Sequence, residues 1–224
     1  MQIGCDTFLK ALEQWAPLSY AEEWDNCGLQ VGRRDKVIGK VMIALTPGEA
    51  AIQAAVDAGV DMLLTHHPMI FKPTKTVTTD HVLGRSIIKL IRNDINLYCA
   101  HTNLDMAVGG VNDVLAKALQ LQDVAVLENI TEEYGIGRVG ILPESMTLEQ
   151  FLSATAARLE CMHLAYQGDL HRQVQKVALC GGSGISYLTA AKKAGADVYV
   201  TGDMIHYEDS NWVQPASGGI RPAP

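Results

Sequence analysis

The stretch that decides the fold runs from residue 60 to residue 68 and reads Val-Asp-Met-Leu-Leu-Thr-His-His-Pro. Its first half is mainly apolar and short, which is typical of a buried strand. Ligands in open α/β sheets bind at the carboxyl ends of strands, so His66 and His67 occupy a favourable place for a site. Pro68 restricts His67 to an extended conformation, in which adjacent side chains point in opposite directions. The two rings are therefore predicted to serve two neighbouring ions rather than one.

Short apolar segments and helical patterns alternate on both sides of this stretch. Strand-like segments at 37–45, 60–64 and 95–100 are interleaved with helical patterns at 48–58 and 82–92. This rhythm predicts an α/β fold. A second set of strands and helices follows, and the predicted domains are a first lobe at 1–125, a second lobe at 126–208 and an irregular or disordered tail at 209–224, where Ser, Gly and Pro dominate.

A second histidine follows another strand-like run. Ile95 to Ala100 is apolar enough for a strand, and His101-Thr102-Asn103-Leu104-Asp105 comes directly after it. His101 and Asp105 are four residues apart, so they can share one side of a helical turn. Imidazole and carboxylate without thiolate suit zinc, manganese, iron or nickel. The sequence therefore indicates a metal site at the strand ends.

Ordinary structural roles compete with this interpretation. A single histidine at a strand end is more often hydrogen-bonded than metal-bound, and an aspartate after a strand is commonly a helix N-cap. The segment from Trp24 to Gly32 either lines a pocket or makes ordinary turns. The turn from Gly181 to Gly184 either cradles an anion or is only a turn, since its spacing matches no nucleotide-binding motif.

The composition of the sequence disfavours several classes of protein. The 224 residues carry a formal net charge of -7, which argues against a nucleic-acid-binding protein because such affinity depends on a basic face. The five cysteines include no Cys-x-x-Cys pair, which favours a reducing compartment over a disulfide framework. No signal peptide and no apolar run of ~20 residues is apparent. We expect a cytoplasmic protein without a membrane partner.

Five motifs occur together and in order along residues 1–208. They are Trp24-Asp25-Asn26-Cys27-Gly28-Leu29-Gln30-Val31-Gly32, Leu64-Thr65-His66-His67-Pro68, His101-Thr102-Asn103-Leu104-Asp105, Gly181-Gly182-Ser183-Gly184 and Asp197-Val198-Tyr199-Val200-Thr201-Gly202-Asp203. The ordered set is more specific than any one of its members. It resembles the Nif-three-like dinuclear metal family, whose members are also described as GTP cyclohydrolase 1 type 2 homologues.

The resemblance implies a two-lobed fold in which each lobe is a mixed sheet flanked by helices. It also implies a toroidal homohexamer with two divalent metal ions per subunit, zinc, manganese, iron or nickel. The family's paired histidines fall on His66 and His67, and its His-x-x-x-Asp falls on His101 and Asp105. These four residues are the metal ligands that the resemblance implies.

The sequence departs from the family pattern after Tyr207. Family members continue to a Gly-His-x-x-x-Glu that supplies one more histidine and a bridging glutamate, and this sequence lacks it. His206 and Glu208 do not match the positions of the missing pair. We therefore expect a weak second metal site and little or no hydrolase activity, because one carboxylate offsets little of the repulsion between two dications.

The leading functional hypothesis is a metal-dependent hydrolase that acts through a metal-bridging water on an electrophilic carbon or phosphorus. Its small-molecule substrate is unknown, since no guanine-reading signature is recognisable, and no catalytic residue is assigned. The alternative is a non-catalytic metal-binding or regulatory partner protein. A nucleic-acid-binding role is disfavoured by the acidic net charge.

Overall fold

The structure, a computed structural model, describes residues 2–202 and the backbone of residues 218–222. It divides into two compact units, Met1–Ala107 and Val108–Pro224. Both units are built from sheets and helices, so the predicted mixed α/β fold with sheets flanked by helices is confirmed. The lobe bounds predicted from the sequence stay predictions.

The first unit contains six strands and four α-helices within its described residues. In chain order they are β1 (Ile3–Gly4), α1 (Cys5–Trp15), β2 (Gly28–Val31), β3 (Val37–Ile38), β4 (Val41–Ala44), α2 (Glu49–Asp57), β5 (Met62–Thr65), α3 (Val82–Arg92), β6 (Asn96–Cys99) and α4 (Thr102–Met106).

Four of these strands form one sheet in the order β2-β6-β5-β4. Strands β4, β5 and β6 are parallel, and β2 is antiparallel to β6. The last residues of the parallel strands are level, with Thr65 opposite both Ala44 and Cys99. The chain that leaves β5 and the chain that leaves β6 therefore emerge side by side at one edge of the sheet.

Alternation along these strands builds a core on each face of the sheet. Leu63 and Leu97 are fully buried against apolar residues of α2 and α3, while Met62 and Tyr98 pack with α1 on the other face. Burying an apolar side chain of this size contributes roughly 1.5–3 kcal/mol. The helices on both faces thus fix the sheet whose edge carries the histidines.

The second unit contains six strands and three α-helices within its described residues. They are α5 (Val111–Ala118), β7 (Gln122–Asn129), β8 (Gly135–Thr147), α6 (Leu148–Arg158), β9 (Leu164–Tyr166), β10 (Gln173–Cys180), α7 (Leu188–Lys193), β11 (Val198–Thr201) and β12 (Gly218–Pro222).

These strands form a mixed sheet in the order β7-β8-β10-β11-β12-β9. Its core is a cluster of buried apolar residues that includes Phe151, Val177 and Val198. Strand β12 lies within the segment that the sequence predicts to be irregular. It differs from that prediction because its backbone groups pair with β11 on one side and β9 on the other. The rest of the predicted tail, 209–217 and 223–224, lies outside the described residues.

Helix α6 begins with a capping box. The Thr147 hydroxyl accepts a hydrogen bond from the Gln150 backbone N–H at 3.3 Å, and the Gln150 side-chain oxygen accepts one from the Thr147 backbone N–H at 2.9 Å. We expect Thr147→Ala to lower the free energy of unfolding by about 1 kcal/mol, because one N–H at the helix start loses its partner. Denaturant unfolding measures this change. A midpoint equal to that of the wild type would show that the cap contributes nothing.

Within the described residues, no helix is long and apolar enough to cross a membrane.

Candidate metal centre

Three imidazoles meet at the carboxyl edge of the first unit's sheet. His66 and His67 follow the last residue of β5, and His101 precedes the first residue of α4. One ring nitrogen from each histidine can be chosen so that all three lie within 4.8 Å of one another. The ring centroids are 5.0 Å apart for His66 and His101, 5.2 Å for His66 and His67, and 5.8 Å for His67 and His101. The structure thus brings together the three histidines that the sequence singles out.

His66 and His67 do not point in opposite directions, which corrects the expectation from the sequence. The alternation of side chains applies within a strand, and β5 ends at Thr65, so both histidines lie in the bend that follows it. The Thr65 hydroxyl donates to the His67 carbonyl oxygen at 2.9 Å and braces this bend. Both rings can therefore face the same centre.

Each imidazole uses its Nδ1 atom in a hydrogen bond to the protein. His66 Nδ1 donates to the Ala100 carbonyl oxygen at 2.9 Å, and His101 Nδ1 donates to the Asp25 carboxylate at 2.9 and 3.0 Å. His67 Nδ1 lies 2.8 Å from the Thr46 hydroxyl oxygen. Because a carbonyl and a carboxylate only accept, His66 and His101 must carry their proton on Nδ1 when neutral. Their Nε2 lone pairs remain available to bind a metal.

Asp105 lies beside these rings. Helix α4 carries its carboxylate back toward the sheet edge, where Oδ1 is 3.8 Å from His66 Nε2. The Asp105 side chain is only 15% exposed. Burial disfavours the charged carboxylate and, against the opposing effect of His101, raises the pKa of Asp105 to about 6. A nearby cation would stabilise the ionised form of a carboxylate in this position.

Asp25 lies behind His101 and belongs to the candidate site, although the sequence alone does not assign it a role. Besides binding His101, its fully buried carboxylate accepts hydrogen bonds from the Thr102 backbone N–H at 3.2 Å and the Thr102 hydroxyl at 2.6 Å. Burial alone would raise the pKa of Asp25, but hydrogen bonds from Thr102, His101 and neighbouring groups outweigh it and lower the pKa to about 2. Asp25 is thus a fixed negative charge behind His101. The only signal was its place in the Trp24–Gly32 motif.

Burial and neighbouring charge favour neutral imidazoles. Burial lowers the pKa of His66, and burial together with the adjacent histidines lowers the pKa of His67. A histidine must be neutral to bind a metal ion, so both rings are in the ligand form at neutral pH.

The pH dependence of metal binding follows from Asp105. Since the pKa of Asp105 is about 6, its carboxyl is protonated at lower pH and a metal must displace that proton. We expect zinc affinity to rise by up to about tenfold per pH unit below pH ~6 and to level off above pH ~7. Competition titrations with a zinc chelator at several pH values measure this. Asp105→Asn should flatten the dependence, and an unchanged slope in that variant would contradict the assignment.

The glycine-rich turn that the sequence singles out belongs to the second unit. In the Gly181–Gly184 turn, the Gly181 N–H donates to the Asn112 side-chain oxygen at 2.8 Å and the Gly184 N–H donates to the Thr201 hydroxyl at 2.9 Å. These amides are used within the protein, which favours the ordinary turn over an anion cradle. His206 and Glu208 lie outside the described residues.

An apolar cavity of about 420 Å³ adjoins His66. It lies between α1 and the sheet, with walls that include Trp15, Leu64 and Tyr98. Most of the lining residues are aliphatic or aromatic. The cavity can accept an apolar group of a small molecule close to the histidines.

The sequence of this chain is similar to a known protein family and to named relatives. A sequence profile described as Duf34/NIF3 (NGG1p interacting factor 3) matches residues 3–214. A Clostridium perfringens protein named GTP cyclohydrolase 1 type 2 homolog is 41% identical over 206 residues, which cover 91% of this chain and 79% of the relative.

Solved structures resemble this chain closely. A Bacillus cereus protein related to NIF3 superimposes with a TM-score of 0.91 at 28% identity, covering 98% of this chain and 88% of that chain. A Staphylococcus aureus hypothetical protein superimposes with a TM-score of 0.89 at 30% identity, covering 96% of this chain and 83% of that chain.

Proposed function

This chain belongs to the Duf34/NIF3 family, and on that premise we propose that it is a metal-dependent hydrolase whose ions are held by His66, His67, His101 and Asp105. One observation carries this proposal. Each of the three imidazoles commits Nδ1 to an oxygen of the protein, which leaves Nε2 as the atom with which it would bind a metal. Histidine ligands of metals in proteins are oriented in this way.

The chemistry of the donor set fits a divalent transition metal. Imidazole nitrogens with a carboxylate suit zinc, manganese, iron or nickel. Two thiols lie nearby, but Cys27 Sγ donates to Asp25 at 3.1 Å and Cys99 Sγ donates to the His66 carbonyl oxygen at 3.1 Å. Their sulfurs therefore support the residues behind the site and are not assigned as ligands. We propose up to two ions per subunit.

The residues of the chain orient the ligands and set their charge. When bound, such ions would supply Lewis acidity and lower the pKa of bound water to about 7, which is the chemistry that hydrolysis needs. Asp25 keeps His101 in the tautomer with a free Nε2 and adds a negative charge behind it. Asp105, with its pKa raised by burial, adds a second negative charge beside His66 when ionised.

The substrate stays open within this proposal. The relatives carry the name GTP cyclohydrolase 1 type 2 homolog, so GTP is one candidate to test and is not assigned as the substrate. We assign a small molecule with a hydrolysable carbon or phosphorus centre. The alternative, a metal-binding or regulatory partner protein without turnover, shares the same metal centre and differs only in its activity.

Assembly into a ring-shaped homohexamer is a further prediction, which the mass of the particle in solution tests.

A hydrolysis screen of the metal-loaded protein separates the two functions. The full chain is loaded with zinc, manganese, iron or nickel and assayed against phosphoesters and nucleotides, including GTP. We expect only slow turnover, in keeping with a weak second metal site, and we expect it to require metal and to be lost in His101→Ala. Protein that retains stoichiometric metal but hydrolyses nothing in the screen would favour the non-catalytic role.

A further inference from the structure

Two large aromatic side chains are exposed at the rim of the histidine cluster. Trp24 is 58% exposed and Phe71 is 47% exposed. Their ring centroids are 5.9 Å apart with an interplanar angle of 65°, and the Trp24 ring lies 6.3 Å from the His101 ring at 79°. The two residues come from separate loops and are 47 positions apart in sequence. The fold therefore assembles an aromatic surface directly beside the proposed metal ligands.

Hydrogen bonds from the segment that contains Asn26 and strand β2 to the loop before Phe71 hold this aromatic pair in place. The Gln30 side-chain oxygen accepts from the backbone N–H groups of Met69 at 2.9 Å and Ile70 at 3.0 Å. The Asn26 side-chain amide donates to the Ile70 carbonyl oxygen at 2.5 Å. Asp25, next to Trp24, is fixed by its contacts with His101 and Thr102. The backbone that carries the Trp24 side chain is therefore held in place by the hydrogen bonds of its neighbours.

The exposed position of Trp24, beside His101, is better explained by binding of a ligand than by a contribution to the stability of the fold. Burial of such rings would stabilise the fold, whereas a half-exposed indole leaves much of its apolar surface in water. An indole face offers stacking to planar π-systems, which a saturated ring of similar size cannot match.

We propose that Trp24, supported by Phe71, stacks on a planar aromatic ring of the substrate while a polar group of that substrate reaches the centre formed by His66, His67 and His101. This inference rests on the proposed function, because it requires the substrate to be held at the metal. It defines the substrate class as small molecules that join an aromatic or heteroaromatic ring to a metal-binding, hydrolysable group.

The apolar cavity beside His66 is the rival place for such a ring. Its walls are mostly aliphatic, as at Leu64, but they also include the aromatic side chains of Trp15 and Tyr98. Trp24 instead presents an aromatic ring next to His101. A preference for a planar ring over a saturated ring of equal size indicates stacking, and its dependence on Trp24 and not on Trp15 distinguishes the aromatic surface from the cavity.

Three hydroxamic acids test the proposal on the zinc-loaded full chain. Acetohydroxamate binds metal without a ring, benzohydroxamate adds a planar ring, and cyclohexanecarbohydroxamate adds a saturated ring of the same carbon number. Calorimetry is expected to show benzohydroxamate binding about five- to tenfold more tightly than the cyclohexane compound. Trp24→Ala should abolish this preference and leave acetohydroxamate affinity and zinc content unchanged. Phe71→Ala should weaken it, and Trp24→Phe should retain part of it.

The remaining outcomes distinguish a failure of the metal centre from a failure of the stacking surface. No binding of acetohydroxamate by protein incubated with zinc would refute the metal centre and this proposal with it. Acetohydroxamate binding without a preference for the planar ring, or with a preference that survives Trp24→Ala, would overturn the stacking surface alone. Trp15 is an exposed tryptophan in the cavity wall. Loss of benzohydroxamate affinity in Trp15→Ala but not in Trp24→Ala would place the ring in the cavity and also overturn the proposal.

Discussion

Alanine in place of His67 should lower the zinc affinity of the protein by about 100-fold or more while leaving its circular dichroism unchanged. The imidazole supplies one of a small number of metal bonds, and its loss leaves the ion with fewer protein ligands. The fold should persist because His67 lies in the bend after β5, outside the buried apolar clusters. Elemental analysis and chelator competition measure the metal, and Asp105→Ala should behave in the same way.

His81 provides the matched control for this substitution. It is an exposed histidine of the same unit, at the start of α3 and outside the cluster of three imidazoles. His81→Ala should retain the zinc content and affinity of the wild type. Equal zinc content in wild type, His67→Ala and Asp105→Ala would exclude the assigned ligands.

Replacing Asp25 by asparagine should weaken zinc binding by about 10- to 100-fold, although Asp25 is not itself an assigned ligand. Partners behind a ligand fix the tautomer and orientation of its ring and raise its basicity, and losses of this size follow their removal. The asparagine also cannot accept from His101, Thr102 and Asn26 as a carboxylate does, so its amide nitrogen would face donors. Chelator competition measures the loss of affinity.

Asp35 offers a control for this charge change. Its side chain is 80% exposed and forms a surface ion pair with Arg33, so Asp35→Asn should leave zinc affinity unchanged. If Asp25→Asn binds zinc as tightly as the wild type and differs only in thermal stability, Asp25 is structural and does not position His101.

The sheet edge and its histidines could be predicted because their signals are local. Val60 to Leu64 forms an apolar run that ends in two imidazoles, and parallel strands place their carboxyl ends at one edge. The helical spacing of His101 and Asp105 is likewise read from neighbouring positions. These features depend on the periodicity of single elements, which the sequence displays directly.

Features that depend on distant contacts were not predictable in the same way. The bond between Asp25 and His101 joins residues 76 positions apart, and the pairing of β12 with β11 and β9 likewise joins separate segments. The prediction that the His66 and His67 rings point in opposite directions is wrong because the alternation of side chains ends with β5 at Thr65. Local patterns state which residues occur near a strand end but not what approaches them from elsewhere in the chain.

The most direct test of the metal centre is a crystal structure of the zinc-loaded full chain with anomalous diffraction recorded at the zinc absorption edge. We predict an anomalous peak at the edge of the first unit's sheet, with His66, His67 and His101 contributing Nε2 atoms at about 2.0–2.1 Å from zinc. Zinc bound in stoichiometric amount, but with its anomalous peak away from these three rings, would contradict the assignment.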